Sequence, residues 1–148
     1  MKFMVIMKAN KESEAGVMPP RELLEAMGRF NEEMVQAGVM LAAEGLHPSS
    51  KGARVRFTRD KRTVIDGPFA ETKELIAGFW LLQVKSKEEA IEWVKRIPNP
   101  FEGIPDEGEV EIRQVFDISD FPSDVLTSEE AAREERLREE VQKQSSKH

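Results

Sequence analysis

Residues 77–84 read Ala77-Gly78-Phe79-Trp80-Leu81-Leu82-Gln83-Val84. Successive side chains of a strand point to opposite faces of its sheet, so this run sets Phe79 and Leu81 on one side and Trp80 and Leu82 on the other. A strand whose sheet is wet on one face alternates apolar with polar residues. This one does not. Nor does the N-terminal segment 2–8, KFMVIMK, where Phe3, Met4, Val5, Ile6 and Met7 follow one another. Both strands need apolar cover on each of their faces.

Helices supply one cover. Residues 19–38 predict the first. Pro19 and Pro20 suit a first turn whose amide hydrogens lack partners anyway. Leu23, Leu24, Met27, Phe30, Met34 and Val35 recur at helical spacing, and Gly38 is a natural stop. The second helix opens at Ser86, with Glu89 three residues on as a capping box. Ala90, Ile91, Val94 and Ile97 make its stripe, with Trp93 beside it, and Pro98 and Pro100 end it. Further strands are expected at residues 39–47 and 109–116, the latter alternating Val110 and Ile112 with charged neighbours. Residues 53–58 and 62–66 predict a hairpin turning at Arg59, Asp60 and Lys61, with one wet face because Arg54 and Arg56 alternate with Val55 and Phe57. A Pro/Gly/acidic loop is expected over residues 99–108. This order predicts an α+β, ferredoxin-like βαββαβ arrangement with an added hairpin.

Right-handed crossovers put both helices on the same face of the sheet. The other face is then bare, and a monomer seldom exposes more than roughly a few hundred Å² of contiguous apolar surface. A second copy of the same face is the simplest cover, so a homodimer is expected. The rival is that residues 119–143 fold back over it. Those residues belong to a charged tail, 118–148, set against a core domain, 1–117. Thr127 with Glu130 is a capping box for a C-terminal helix that carries few apolar residues. It reads as an appendage that frays or packs on a protein partner.

Composition narrows the function. A chain of 148 residues with 39% hydrophobic content fits one domain and a tail. The absence of cysteine excludes disulfides, thiolate metal sites and a cysteine nucleophile. A net charge of −6 argues against a nucleic-acid partner or an anionic membrane surface. The local basic stretch of Lys51, Arg54, Arg56, Arg59, Lys61 and Arg62 reads as the solvated face of the hairpin. No run approaches the roughly 18 apolar residues of a membrane span, and the N-terminal apolar run is too short for a signal peptide, so a cytoplasmic protein is expected. No phosphate loop, dinucleotide-binding glycine motif or H-E-x-x-H string occurs, and no cofactor is expected. No metal is expected either: with one internal histidine, His47 with Glu44 and Asp66 across a dimer cleft is the one set left.

The string Asp66-Gly67-Pro68-Phe69-Ala70-Glu71 resembles the signature of the DGPF branch of the YCII-related proteins. Its neighbours agree: residues 43–48 (AEGLHP) precede it, residues 73–80 (KELIAGFW) follow it, and residues 110–113 (VEIR) close the domain. The likeness covers about residues 1–117. It implies a dimeric α+β barrel in which two ferredoxin-like sheets face each other. It also implies either small-molecule chemistry through a His–Asp pair or, as in some DGPF proteins, a link to sigma-factor regulation. One branch carries its histidine on the first helix, where this chain has Met27 and Phe30.

The candidate residues each admit two readings. His47 precedes Pro48, so its backbone is extended; its imidazole serves as acid or base near neutral pH, or caps a strand end. Asp66 orients His47 or holds a ligand, or else makes an Asx turn with Gly67 and Pro68. Phe69 and Trp80 wall a ligand pocket or pack the core. Glu44, in an apolar strand, contacts a ligand or pairs with Arg113 or Lys73. Two functions stay open: a small-molecule site in the cleft between paired sheets, with His47 and Asp66 as its catalytic pair, and a non-catalytic regulatory module acting through the C-terminal helix.

Overall fold

The computed structural model describes residues 1–102 and 108–146; residues 103–107 of the expected acidic loop lie outside the described part. In chain order the elements are β1 (Lys2–Lys8), α1 (Lys11–Glu14), α2 (Arg21–Gln36), β2 (Met40–Gly45), β3 (Ala53–Phe57), β4 (Arg62–Asp66), β5 (Ile76–Gln83), α3 (Lys87–Lys95), β6 (Val110–Gln114) and α4 (Ser128–Ser146). Two units emerge, Met1–Val115 and Phe116–His148. The first holds an antiparallel sheet ordered β2-β5-β1-β6 and a separate two-stranded sheet, β3-β4. Numbered by themselves, the four strands run second, third, first, fourth, which is the ferredoxin-like order, and the hairpin is an insertion between the second and third.

The side-chain alternation of the two central strands decides what is buried. Phe3 lies opposite Leu82 and Val5 opposite Trp80. These four point to the helices and are at most 6% exposed. Phe30 and Met34 of α2 and Ala90 of α3 close over them, so both helices do share one face. The Trp80 ring meets Phe30 edge-on, with centroids 6.3 Å apart, and its indole N–H donates to Asn31 Oδ1 at 2.8 Å. A buried indole N–H needs such a partner, and Asn31 supplies it from the same helix that packs the ring. The gap lined by Val5, Phe30, Met34, Trp80, Leu82 and Trp93 has no room for a water molecule.

On the opposite face Met4 lies against Leu81, and Ile6 against Phe79. All four are half-buried. The edge strands put charge on this face. Glu111 of β6 lies beside Ile6, within 3.4 Å of Lys8 Nζ and 3.2 Å of Arg113 Nη1. Arg113 therefore spends its guanidinium on Glu111, not on Glu44. Those residues stand on β6 and β2, at opposite edges of the sheet, roughly 14 Å apart at strand spacing. The side chain of Lys73, the other partner considered for Glu44, is outside the described part.

Several local expectations need correction. Leu24 and Val35 are 53% and 57% exposed. Both lie roughly a hundred degrees around α2 from the Phe30–Met34 line and miss the sheet. Gly38, at φ +73°, does stop the helix, as its left-handed backbone allows. At α3 Ser86 accepts the Glu89 N–H at 3.1 Å, but the Glu89 carboxylate returns to the Lys85 N–H at 2.8 Å, one residue before the cap. The hairpin has no dry face: Val55, Phe57 and Val64 are 50%, 70% and 65% exposed. On α4, Thr127 caps Glu130, and Leu137 and Val141 are 53% and 63% exposed.

Two predictions follow from this packing. Leu82→Ala, at a side chain 1% exposed, is expected to cost about 2–5 kcal/mol in urea unfolding, whereas Leu24→Ala should stay within about 0.5 kcal/mol. The second concerns acid. The hydrogen bond from Arg113, then the charge of Lys8, hold the Glu111 carboxyl below the ordinary glutamate range. As pH falls through that range the unfolded chain takes up the proton first, so this contribution is present at neutral pH and lost in acid. Glu111→Gln should flatten the acid limb of a stability–pH profile, modestly, since the group sits at the surface.

Candidate functional site

The sequence motifs meet at one end of the main sheet, where β1 and β2 end and β5 begins. The chain leaves β1 with the Ala9 N–H bonded to Leu75 O at 2.9 Å, immediately before β5. It leaves β2 with Leu46 N–H bonded to Ala77 O at 2.8 Å, so His47 emerges one residue beyond the last pairing. Pro48 then starts a tight 3-10 turn, Ser49–Lys51, that leads into the hairpin.

Ser49 is the joint. Its backbone N–H donates to Glu14 Oε2 at 2.9 Å, and its hydroxyl donates to Glu14 Oε1. The same hydroxyl oxygen accepts the Phe69 N–H at 3.0 Å. Three segments distant in sequence are thereby tied: α1, the turn after His47 and the signature loop. Glu14 is presented by a four-residue helix that Asn10 and Ser13 cap reciprocally, at 2.8 and 2.9 Å. Neither Glu14 nor Ser49 was singled out from sequence. The Asn10-x-x-Ser13 spacing was the available signal, but one helical turn has no periodicity to reveal it.

The signature string acquires physical reasons here. A Cβ on Gly67 would stand 1.8 Å from the carbonyl oxygen of Ser49, so only glycine lets the loop lie on that turn. The Gly67 N–H donates to Gly52 O at 3.0 Å and extends the hairpin by one rung. The Gly67–Pro68 peptide is cis. Phe69 is anchored through its backbone, and its ring lies under the guanidinium of Arg54, 3.9 Å from the centroid.

His47 and Asp66 flank this joint, His47 two residues before Ser49 and Asp66 one before Gly67. Both side chains are exposed, and among the described residues no hydrogen bond joins them. The Asx turn is not formed by the Asp66 carboxylate: Asp66 pairs with Ala53 as the last rung of the hairpin, and the backbone of Gly67 makes the closing contact. Glu44 is exposed on the outer sheet face beside Phe79. Trp80 is not part of a wall on that face. It shares its side of β5 with Leu82 and points to the helices, as strand alternation requires. Among the described residues no three His, Asp or Glu side chains gather as a metal site, and no helix is long and apolar enough to cross a membrane.

The chain matches known proteins as follows. The model of the YCII-related domain matches residues 1–119. An uncharacterized protein of Rhizobium meliloti is 33% identical over 104 residues, which span 70% of this chain and 77% of that protein. A solved structure of 5-chloro-2-hydroxyhydroquinone dehydrochlorinase from Burkholderia phenoliruptrix, in complex with 2,5-dihydroxybenzoquinone, is 13% identical and covers 78% of this chain and 94% of its own, with a TM-score of 0.41. At that similarity it bears on neither the site nor the activity. With the family model spanning residues 1–119 and a relative at 33% identity, the chain belongs to the YCII-related domain family.

Proposed function

We propose that the protein is a small-molecule-binding domain that works as a homodimer. Its cleft is closed when a second copy covers the outer sheet face, with His47 and Asp66 as acid and base at the cleft's end. The observation that carries this reading is the block of Met4, Ile6, Phe79 and Leu81 at the centre of that face. Two helices already occupy the other side, so this apolar surface needs a cover from elsewhere. Glu44 and Phe69 stand at its rim in this reading, and Trp80 supports from behind the sheet. Because His47 and Asp66 share no hydrogen bond, their joint action runs through a ligand lying between them.

A second reading draws on one observation: Leu137 and Val141 lie one turn apart on α4 and are both largely exposed. Such a pair suits a protein partner, and the domain would then be a regulatory module whose tail makes the contact. Removing residues 119–148 separates the two readings, since ligand binding survives the deletion on the first and partner binding is lost on the second.

Light scattering tests the dimer: the full chain is expected at twice the monomer mass and Ile6→Glu at the monomer mass. A monomeric native chain would remove the cleft and the function built on it. Within the dimer, Gly67→Ala pushes a methyl group into the Ser49 carbonyl and is expected to cost about 1–3 kcal/mol. Hydrogen exchange should rise at the Phe69 and Gly67 amides while the β1–β5 ladder stays protected. Protection unchanged at Phe69 would show that the loop does not depend on that contact.

A further inference from the structure

The basic stretch has a use beyond solvation. Residues 51–62 hold six cations and one acid in a chain whose net charge is −6. Among the described residues, none of these six lies within salt-bridge distance of a carboxylate, although cations elsewhere find partners on Glu25, Glu33, Glu92 and Glu111. Two of the hairpin arginines rest on aromatic rings instead: Arg62 over Phe57, 4.4 Å from its centroid, and Arg54 over Phe69. The second contact differs from the first in where it stands. Phe57 is 70% exposed near the hairpin tip, whereas Phe69 is half-buried and its backbone is fixed to Ser49.

Arg54 is therefore held in place by a ring that is itself held, at the joint beside His47 and Asp66. Among the described residues no hydrogen bond engages that guanidinium, so its five N–H donors are left unspent by the contact with the ring. A planar fork of donors, oriented in advance and without a carboxylate of its own, matches an oxyanion. Lys51, at the end of the turn that carries Ser49, adds charge at the same end of the hairpin.

We propose that the ligand of the candidate site is a small molecule bearing an oxyanion, carboxylate or phosphate, and that Arg54 is the residue that recognises it. This deepens the small-molecule reading and rests on it. The hairpin is on this view a specificity arm: its base, docked through Gly67 and Phe69, reads the anion, while Arg59 and Lys61 at the tip contribute only a long-range attractive field.

The test titrates the full-length protein at low salt with three probes, benzoate, inorganic phosphate and uncharged phenol, followed by amide shifts in NMR. Benzoate or phosphate should move the Ser49, Arg54 and Phe69 amides; which binds tighter tells the carboxylate source from the phosphate source. Arg54→Gln should weaken the preferred anion at least tenfold, Arg54→Lys should restore part of the loss, and Arg59→Gln should leave it within twofold. Amide spectra of each variant confirm that the loop remains on Ser49. Equal losses in Arg54→Gln and Arg59→Gln would reduce the effect to net charge and overturn the assignment. So would a short single-stranded DNA that outcompetes both anions and needs Arg59, since the arm would then read a polyanion. If phenol shifts the site and the anions do not, the oxyanion inference fails while the small-molecule reading stands. If no probe shifts it and the protein is monomeric, the reading beneath fails as well.

Discussion

The molecule is organised by the sidedness of two neighbouring strands. β1 and β5 carry apolar side chains on both faces, and strand geometry gives them no way to conceal both from one side. Two helices lying abreast cover roughly 20 Å, about the width of a four-stranded sheet. One face is thereby served by α2 and α3, and among the described residues the first unit has no helix of comparable length left for the other. The tight helix side, with Phe3, Val5, Met34 and Leu82 at 2% exposure or less, and the partly covered outer side, with Met4, Ile6, Phe79 and Leu81, arise from the same alternation. Charge on the outer face includes Glu44 on β2 and the Lys8–Glu111–Arg113 group around β6.

The end of this sheet is built differently, from hydrogen bonds rather than packing. Three segments converge on Ser49, whose hydroxyl can donate and accept at once. It donates to Glu14 and accepts from the backbone of Phe69, so a single small side chain bonds to both α1 and the signature loop. Glycine at position 67 is what lets the signature loop approach near enough for the second of these bonds. In this light the D-G-P-F string is first a docking device: Gly67 and Phe69 seat the loop. Asp66, beside them, is left facing water with no structural duty for its carboxylate among the described residues.

The treatment of positive charge divides along the same lines. Lys8 and Arg113 spend their charge on Glu111, which ties the edge strand to the centre of the sheet. Among the described residues the hairpin cations do not pair in that way, and two of them lie on aromatic rings. A two-stranded hairpin is marginal by itself. Its base is secured to the signature loop through the Gly52–Gly67 bond and the Arg54–Phe69 stack. Its outer half, with Val55, Phe57 and Val64 exposed, owes its order to that base.

Periodicity along the chain was enough to recover the strands, α2 and α3, and the ferredoxin-like order, because apolar spacing records which side of an element meets the core; α4, with few apolar residues, is marked by the Thr127–Glu130 capping box instead. It also foretold that both helices would share one face, since crossover handedness leaves no choice. What it could not convey was contact between segments far apart in sequence. The Glu14–Ser49–Phe69 joint spans 35 residues in its two Ser49–Glu14 bonds and 20 in its Phe69–Ser49 bond, with no local pattern to mark either end. The same reason governs individual residues. Core packing is the favoured reading of Trp80, and the register with Val5 sets its side; the strand order puts Arg113 and Glu44 on opposite edges, and Arg54, which reads as ordinary solvated charge, has Phe69 beneath it. Local chain chemistry determines which elements form and which faces are greasy. Only tertiary structure decides which side chains meet, because that depends on how distant segments stack and not on the neighbours each residue has along the chain.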